Sequence, residues 1–165
     1  MIVVSSFDRS FDRGNFSCGN DELDKYLQRQ LSQDAKRNLA AGFILHDKGK
    51  PEVLGYYTLS AFSVDLLDIP EAPRKKLPRY PQVPVTLLGR LAISSGHQGR
   101  GLGELLLVDA LKRAWQNRNL IGSWAVIVDA IDDSAAQFYQ AYGFELVTRD
   151  NSRLFLTMSK IGKLV

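Results

Sequence analysis

A chain of 165 residues, 45% of them hydrophobic and 24% charged, has the composition of one globular domain and not of a disordered, fibrous or membrane protein. One cysteine excludes an internal disulfide, and two histidines argue against a histidine- or cysteine-rich metal site. The net charge of +3 does not by itself indicate a nucleic-acid partner. The N-terminus lacks signal-peptide features and no apolar run approaches about 18 residues, so we expect a cytoplasmic protein. The scarcity of histidine and cysteine leads us to expect no bound metal.

Apolar periodicity and turn residues predict an α/β chain with a mixed sheet. The predicted elements, in order, are a helix over 20–38, strands over 43–46 and 53–60, an extension or further strand over 64–67, a strand over 85–93, a helix over 103–118, a strand over 123–129, a helix over 133–142, and strands over 144–147 and 154–158. Asn20 is the predicted N-cap of the first helix, and Gly143 ends the last helix. Residues 159–165 are expected to fray, with a surface for a protein partner as the alternative.

A proline-rich segment interrupts this order. Five of the six prolines lie within residues 70–84, a density that argues against a helix interior or a central strand. We therefore expect an ordered, extended excursion there. It carries four cations with a tyrosine beside them, namely Arg74, Lys75, Lys76, Arg79 and Tyr80. Such a run can track phosphates, and a solvated charge run is the alternative.

A glycine-rich loop, QGRGLG at residues 98–103, lies between a buried strand and the long helix. Small residues let a backbone approach a ligand, and the N–H groups of a first helical turn point outward unpaired. The helix dipole and Arg100 add positive character, so phosphate or pyrophosphate is the expected guest. A Walker loop is excluded because no Lys-Ser/Thr pair ends the segment, and a dinucleotide fingerprint fails at Glu104. For the loop alone, a turn that binds nothing is the alternative.

The loop resembles the Q/R-x-x-G-x-G/A motif of the GNAT superfamily of N-acetyltransferases through Gln98, Gly101 and Gly103. Residues 132–144 are similar to that superfamily's N-x-x-A-x-x-F-Y-x-x-x-G-F pattern, with Asp132 in place of the usual Asn. This resemblance implies a single acetyltransferase domain over 1–165. Its twisted mixed sheet would be flanked by helices, and its central strands would splay apart to hold the cofactor.

Further local segments resemble the acetyltransferase toxins encoded beside ribbon-helix-helix antitoxins. The likeness covers nearly the whole chain, in the segments 16–20, 23–27, 33–38, 55–60, 77–81, 83–84 and 88–92. It implies acetyl-CoA as donor and the amino group of an aminoacyl-tRNA as acceptor, with arrest of translation as the result. A ribbon-helix-helix antitoxin and a second copy in a homodimer are the other implied partners.

The resemblance also implies a role for each site residue. The amine attacks the thioester directly, so no enzyme nucleophile is needed. The loop would hold the pyrophosphate, a backbone N–H near Ile93 would face the oxyanion, and Tyr139 would protonate the departing thiolate. For Tyr139, a core tyrosine is the alternative. The implied cofactor-binding residues are Leu91, Ala92, Ile93, Gln98, Gly99, Arg100, Gly101, Leu102, Gly103, Asp132, Ala135 and Phe138.

The candidate RNA-binding residues are the cations Lys36, Arg37, Arg74, Lys75, Lys76, Arg79 and Arg90. Arg90 lies inside an apolar strand, so we expect it to point into a cleft or to pair with an acid. No general base is identified. Two other functions remain open, namely acetylation of small-molecule or protein amines and a non-catalytic module that works with a DNA-binding partner.

Overall fold

A computed structural model describes all residues from Met1 to Val165. The strands are β1 Ile2–Ser6, β2 Ala41–Asp47, β3 Gly55–Asp65, β4 Gln82–Ile93, β5 Ala125–Asp129, β6 Glu145–Val147 and β7 Asp150–Thr157. The helices are α1 Asp21–Lys25, α2 Leu31–Lys36, α3 Glu71–Arg74, α4 Leu102–Asn117, α5 Asp133–Ala141 and α6 Met158–Leu164. A π-helical turn, Tyr26–Gln30, joins α1 to α2. None of these helices has both the length and the apolar character needed to cross a bilayer.

The seven strands form one mixed sheet in the order β1-β2-β3-β4-β5-β7-β6. β1 pairs antiparallel with β2, and β2 with β3. β7 lies between β5 and β6 and pairs antiparallel with both. β4 and β5 pair in parallel, with Thr86–Leu88 opposite Val126–Val128. Parallel neighbours need a crossover, which α4 provides. The glycine-rich loop therefore lies where β4 ends and α4 begins.

The chain packs as two compact units, each made from two segments. The first unit consists of Met1–Ser60 and Gly89–Ala110, and the second of Ala61–Leu88 and Leu111–Val165. Each unit has its own apolar cluster. One cluster of buried residues in the first unit contains Phe16, Tyr26, Leu27, Leu31, Ile44, Val53, Tyr56 and Ala92. A cluster in the second unit contains Val64, Ile69, Val83, Val85, Ala125, Ile127, Val147 and Phe155.

The helix predicted over 20–38 is present, with one irregularity. Asn20 caps it as expected, since its side-chain oxygen accepts a hydrogen bond of 3.1 Å from the Leu23 N–H. The Leu31 N–H bonds to the Tyr26 carbonyl five residues back, which inserts one extra residue into the helix. Asn38 ends the helix in the left-handed region, with φ of 59°. The inserted residue lets both Tyr26 and Leu27 face the core.

The proline-rich excursion is more regular than predicted. Pro84 lies in β4, a central strand, so the exclusion of a central strand was wrong at this residue. Pro73 lies in the short helix α3, which has no interior, so the exclusion of a helix interior is not contradicted. α3 is only one turn long, and a proline in a first turn loses no hydrogen bond. Pro84 still accepts a 2.8 Å hydrogen bond from the Trp124 N–H, because proline lacks the donor but keeps the carbonyl.

Both chain ends also contain structure that the sequence did not predict. β1 pairs with β2 from Ile2 opposite Asp47 to Ser6 opposite Phe43. The expectation that residues 159–165 fray was wrong, because α6 spans Met158–Leu164 and its Ile161 is fully buried. A Cβ on Gly162 would lie 2.6 Å from the Trp115 indole nitrogen, so only glycine allows this helix to pack so closely. The other predicted elements are all present, with β3 extending over residues 64–65.

Candidate active site

The carboxyl end of β4 is held by close backbone packing. A Cβ on Gly55 would lie 2.8 Å from the carbonyl oxygen of Ala92 and 2.7 Å from the Ile93 side chain. The Ser94 N–H donates a hydrogen bond of 2.8 Å to the Leu54 carbonyl. Ala92 is buried, and the side chains of its predicted partners in cofactor binding, Leu91 and Ile93, are half-buried. This strand end is therefore fixed in position where the glycine-rich loop begins.

The glycine-rich loop has a backbone that only glycine adopts readily. Gly99 and Gly101 have φ of +78° and +75°, both in the left-handed region. A Cβ on either residue would meet no protein atom within 4 Å, so the space beside both is open. The first helical hydrogen bond of α4 runs from the Leu105 N–H to the Gly101 carbonyl, at 3.1 Å. The N–H groups that precede it have no acceptor within the helix, and the exposed Arg100 is adjacent in the chain. Anion binding at this helix start stays a prediction.

The side chain of Gln98 is occupied by the protein itself. Its amide nitrogen donates to the Ile93 carbonyl at 3.0 Å and to the Cys18 carbonyl at 2.9 Å, although Cys18 lies 80 residues away in sequence. The Ser95 N–H also donates to the Ser17 carbonyl at 2.8 Å. Gln98 thus fastens the loop to β4 and to residues 17–18, a contact that sequence spacing did not reveal.

Cys18 does not act as a nucleophile in this setting. Its thiol is half-buried, and burial, reinforced by Asp24, raises its pKa to about 11. Since the thiolate is the reactive form, Cys18 is protonated and unreactive near neutral pH. No three His, Cys, Asp or Glu side chains lie close enough together to hold a metal ion.

α5, in the second unit, carries the predicted catalytic tyrosine. Tyr139 is 8% exposed, and its ring contacts those of Phe138 and Phe144, with centroids 5.3 and 5.4 Å away. Burial raises the pKa of Tyr139, so the phenol keeps its proton throughout the neutral range. Asp132 caps α5, since its carboxylate accepts a 2.8 Å hydrogen bond from the Ala135 N–H. Asp132 thus performs a capping role that asparagine performs equally well.

The predicted RNA-binding cations occupy several places. Lys36 and Arg37 lie exposed at the end of α2, in the first unit. In the second unit, Lys75 forms an exposed ion pair with Glu71 at 3.3 Å, so its charge is largely balanced. The side chains of Lys76, Arg79 and Tyr80 are exposed and have no hydrogen-bond, ion-pair or ring partner in the protein. Tyr80 is 68% exposed, which is unusual for a large aromatic side chain.

Arg90 does not pair with an acid, which was one of the two predicted alternatives. Its guanidinium carbon lies 3.5 Å from the centroid of the Tyr26 ring, so the side chain stacks on an aromatic face. Its charge also helps to lower the pKa of Asp34, but no ion pair forms between them. Tyr26 was not among the predicted site residues. An aromatic residue at an apolar helical position is typical of the core, so the sequence did not indicate a site role for Tyr26.

Comparisons with known proteins show the family of the chain. The family model of the acetyltransferase (GNAT) domain matches residues 43–146. A tRNA-acetylating toxin of Mycobacterium tuberculosis is 36% identical over 154 residues, which cover 93% of this chain and 90% of that protein.

Two solved structures share the fold over nearly their full length. AtaT complexed with acetyl-methionyl-tRNAfMet gives a TM-score of 0.92 at 29% identity, covering 99% of each chain. A tyrosine-to-phenylalanine mutant of AtaT, bound to the C-terminus of the antitoxin AtaR and to acetyl-CoA, gives 0.83 at 27% identity, covering 99% of this chain and 97% of that one. From the matched family model and the near full-length relatives, the chain belongs to the acetyltransferase (GNAT) family.

Proposed function

We propose that the protein transfers the acetyl group of acetyl-CoA to the amino group of an aminoacyl-tRNA and so arrests translation. The observation that carries this proposal is the likeness to the tRNA-acetylating toxin of Mycobacterium tuberculosis, which extends over 93% of the chain. Acetylation removes the charge and the nucleophilicity of the amine, so the tRNA no longer donates its amino acid to a growing peptide. The site of action is then the cytoplasm, where charged tRNA is found.

The glycine-rich loop fits the pyrophosphate of acetyl-CoA. Gly99 and Gly101 leave open space where side chains would stand, and the first turn of α4 presents its N–H groups. Gln98 contributes through its backbone, because its side-chain amide is bonded to two carbonyls. We assign the strand end Leu91–Ile93 to the pantetheine and the thioester. When bound, acetyl-CoA supplies an acetyl thioester that an amine can attack without an enzyme nucleophile.

Tyr139 is assigned as the acid of the reaction. A carbon–nitrogen bond forms as the carbon–sulfur bond breaks, the amine loses one proton and the sulfur gains one. The phenol holds its proton at neutral pH because burial raises its pKa, and it has no hydrogen-bond partner in the protein that would compete for that proton. A general acid of this kind contributes roughly 10²- to 10⁴-fold to a rate.

Exposed cations of the second unit are assigned to the tRNA. Lys76 and Arg79 have no acidic partner, and the nearby Tyr80 offers a face on which a base can stack. The other cations assigned to the tRNA are Arg74 and Lys75 in the same unit, and Lys36, Arg37 and the half-buried Arg90 in the first unit. Phosphate contacts by such side chains add affinity that falls as salt rises.

The proposal includes a ribbon-helix-helix antitoxin and a homodimer. The binding of AtaT to the C-terminus of its antitoxin AtaR supports an antitoxin partner. Co-purification with the product of the neighbouring gene, and the mass of the purified protein in solution, test these two points separately.

Transfer of labelled acetyl groups tests the proposed function. Purified protein is incubated with labelled acetyl-CoA and total aminoacyl-tRNA, with deacylated tRNA and free amino acids as controls. We expect label only in the charged tRNA, in a form released with the amino acid by mild base. Label in small amines or proteins, with none in charged tRNA, supports acetylation of those amines instead. No CoA release with any acceptor supports the non-catalytic module.

Charge-neutralised variants test the tRNA surface. In the variant with Arg74, Lys76 and Arg79 replaced by glutamine, we expect a higher KM for aminoacyl-tRNA and a salt slope lowered by about one for each phosphate that is no longer bound. The matched control replaces the exposed Lys48, Lys112 and Lys163 by glutamine, which removes the same charge elsewhere. Equal salt slopes in the two variants would remove these cations from the tRNA surface.

A further inference from the structure

Arg90 is a half-buried arginine with no acceptor in the protein. Its guanidinium lies 3.5 Å from the Tyr26 ring centroid, and its N–H groups make no hydrogen bond or ion pair with protein atoms. A half-buried charged donor group without a partner is costly and calls for an explanation. Stacking covers the face of the guanidinium but leaves the N–H groups along its edge available.

Tyr26 is itself held from several directions. Its hydroxyl donates a 2.8 Å hydrogen bond to one carboxylate oxygen of Asp34, and the Gln30 amide donates at 2.9 Å to the other. Its ring is nearly parallel to that of Tyr56, with centroids 6.4 Å apart. The Tyr56 hydroxyl in turn donates to the Leu23 carbonyl at 2.7 Å. Tyr26 is therefore a rigid platform.

The π-helical turn creates this arrangement. Tyr26 and Gln30 are the first and last residues of the turn, and both reach Asp34 in the following helix α2. π-helical insertions are costly relative to a regular helix and occur frequently at functional sites. The insertion turns Tyr26 toward the core of the first unit, where Arg90 lies on its ring.

A purely structural role for Arg90 predicts a different geometry. If its function were to neutralise Asp34, an ion pair within 4 Å would be expected. The two oxygens of the Asp34 carboxylate instead accept hydrogen bonds from Gln30 and Tyr26. These bonds lower the pKa of Asp34, and the more distant charges of Arg90 and Arg37 lower it further. The Arg90 guanidinium therefore lies near enough to act on Asp34 through its charge but makes no ion pair with it.

We propose that Arg90 is a preformed contact for a phosphate of the aminoacyl-tRNA and that Tyr26 is the positioning residue that holds it ready. The inference rests on the proposed function, since the phosphate belongs to the tRNA. Arg90 precedes Ala92 by two residues on β4, about 7 Å along the strand and on the same face. The contacted phosphate therefore lies near the acylated 3′ end, close to the strand end assigned to the thioester.

Kinetics with aminoacyl-tRNA as the varied substrate test this inference. We expect Arg90→Gln to raise the KM for aminoacyl-tRNA about 10- to 100-fold, with kcat changed less than about threefold, as for removal of a charged hydrogen bond. Its salt slope should fall by about one. Arg90→Lys keeps the charge but loses the planar stack. We expect it to have the wild-type salt slope and a KM for aminoacyl-tRNA between those of the wild type and Arg90→Gln.

Variants of Tyr26 separate positioning from folding. Tyr26→Phe keeps the ring and loses the bond to Asp34, so we expect a KM increase of about two- to fivefold with the salt slope unchanged. Tyr26→Leu removes the platform and should approach the KM of Arg90→Gln. The KM for acetyl-CoA is measured on the same preparations. We expect it to stay at the wild-type value, which would show that the variants are folded.

Arg118→Gln is the matched control, because Arg118 also stacks on an aromatic ring, 3.7 Å from the Trp115 centroid, but donates to the Trp115 carbonyl. Its KM for aminoacyl-tRNA should equal that of the wild type. An unchanged KM and salt slope in Arg90→Gln, or a loss confined to kcat, overturns the inference while the proposed function stands. Failure of the wild type to acetylate any aminoacyl-tRNA overturns the proposed function itself.

Discussion

Replacing Gly101 with alanine separates the conformational cost of the loop from its role in binding. The φ of Gly101 is +75°, where a residue with a side chain costs about 1–2 kcal/mol. A Cβ there would meet no protein atom within 4 Å, so this cost is the whole of the expected loss in stability. For a chain of this length, each 1 kcal/mol lowers Tm by about 2–4 °C. We therefore expect a Tm decrease of about 2–8 °C.

The effect on acetyl-CoA binding should exceed the effect on stability. If the open space beside Gly101 holds the pyrophosphate, a methyl group there displaces a phosphate from at least one charge-assisted hydrogen bond. That bond contributes about 1.5–3 kcal/mol. The loss corresponds to roughly 10- to 150-fold weaker binding, since about 1.4 kcal/mol is tenfold. Isothermal titration with CoA measures it directly.

Gly49→Ala is the matched control. Gly49 lies in the turn between β2 and β3, has φ of +82°, and also has no protein atom within 4 Å of its hypothetical Cβ. The Gly49→Ala variant should have the same decrease in Tm as Gly101→Ala and should bind CoA as tightly as the wild type. If both variants bind CoA equally well, the assignment of the loop to the pyrophosphate is wrong.

Substitutions at three further positions have defined outcomes. Tyr139→Phe should lower acetyl transfer about 10²- to 10⁴-fold with little change in Tm, because the phenol loses no hydrogen bond to the protein; a wild-type rate in the mutant would refute the assignment. Since burial raises the pKa of Tyr139, wild-type transfer should not decline between about pH 7 and 9 through loss of its proton. Gly55→Ala should destabilise the fold by about 1–3 kcal/mol in urea unfolding, because its Cβ meets a backbone oxygen of β4 at 2.8 Å, and an unchanged midpoint would contradict that packing. Asp132→Ala should cost about 1 kcal/mol because the α5 cap is removed, whereas Asp132→Asn should cost little in the same denaturation assay.

Much of the fold could be predicted because its signals are local. The family resemblance and the mixed α/β fold are confirmed, and the loop at 98–103 opens α4 as expected. Left-handed glycines and caps such as Asn20 depend on a few neighbouring residues, which a sequence displays directly. β1 was missed because residues 2–4 form a continuous apolar run without the alternation of a half-buried strand. α6 was missed because seven residues contain too few apolar positions to establish a helical period.

The contacts that complete the candidate site are of a different kind. Gln98 binds a carbonyl 80 residues away, and Arg90 stacks on Tyr26 from a strand that is distant in sequence. No local sequence pattern predicts either contact, because both depend on which elements the fold places side by side. Arg90 was singled out because a charged residue stood in an apolar strand, but the aromatic partner required the fold. The roles of the site residues remain predictions for the experiments above.

The chemical position of the transferred acetyl group is the most direct test of the proposed function. Aminoacyl-tRNA treated with the protein and acetyl-CoA is digested with ribonuclease, and the terminal aminoacyl-adenosine is examined by mass spectrometry beside a Tyr139→Phe reaction. We predict one added acetyl group on the α-amino group of the esterified amino acid, and its near absence in the mutant reaction. An unmodified aminoacyl-adenosine, with acetyl-CoA consumed on another acceptor or not at all, would contradict the proposed function.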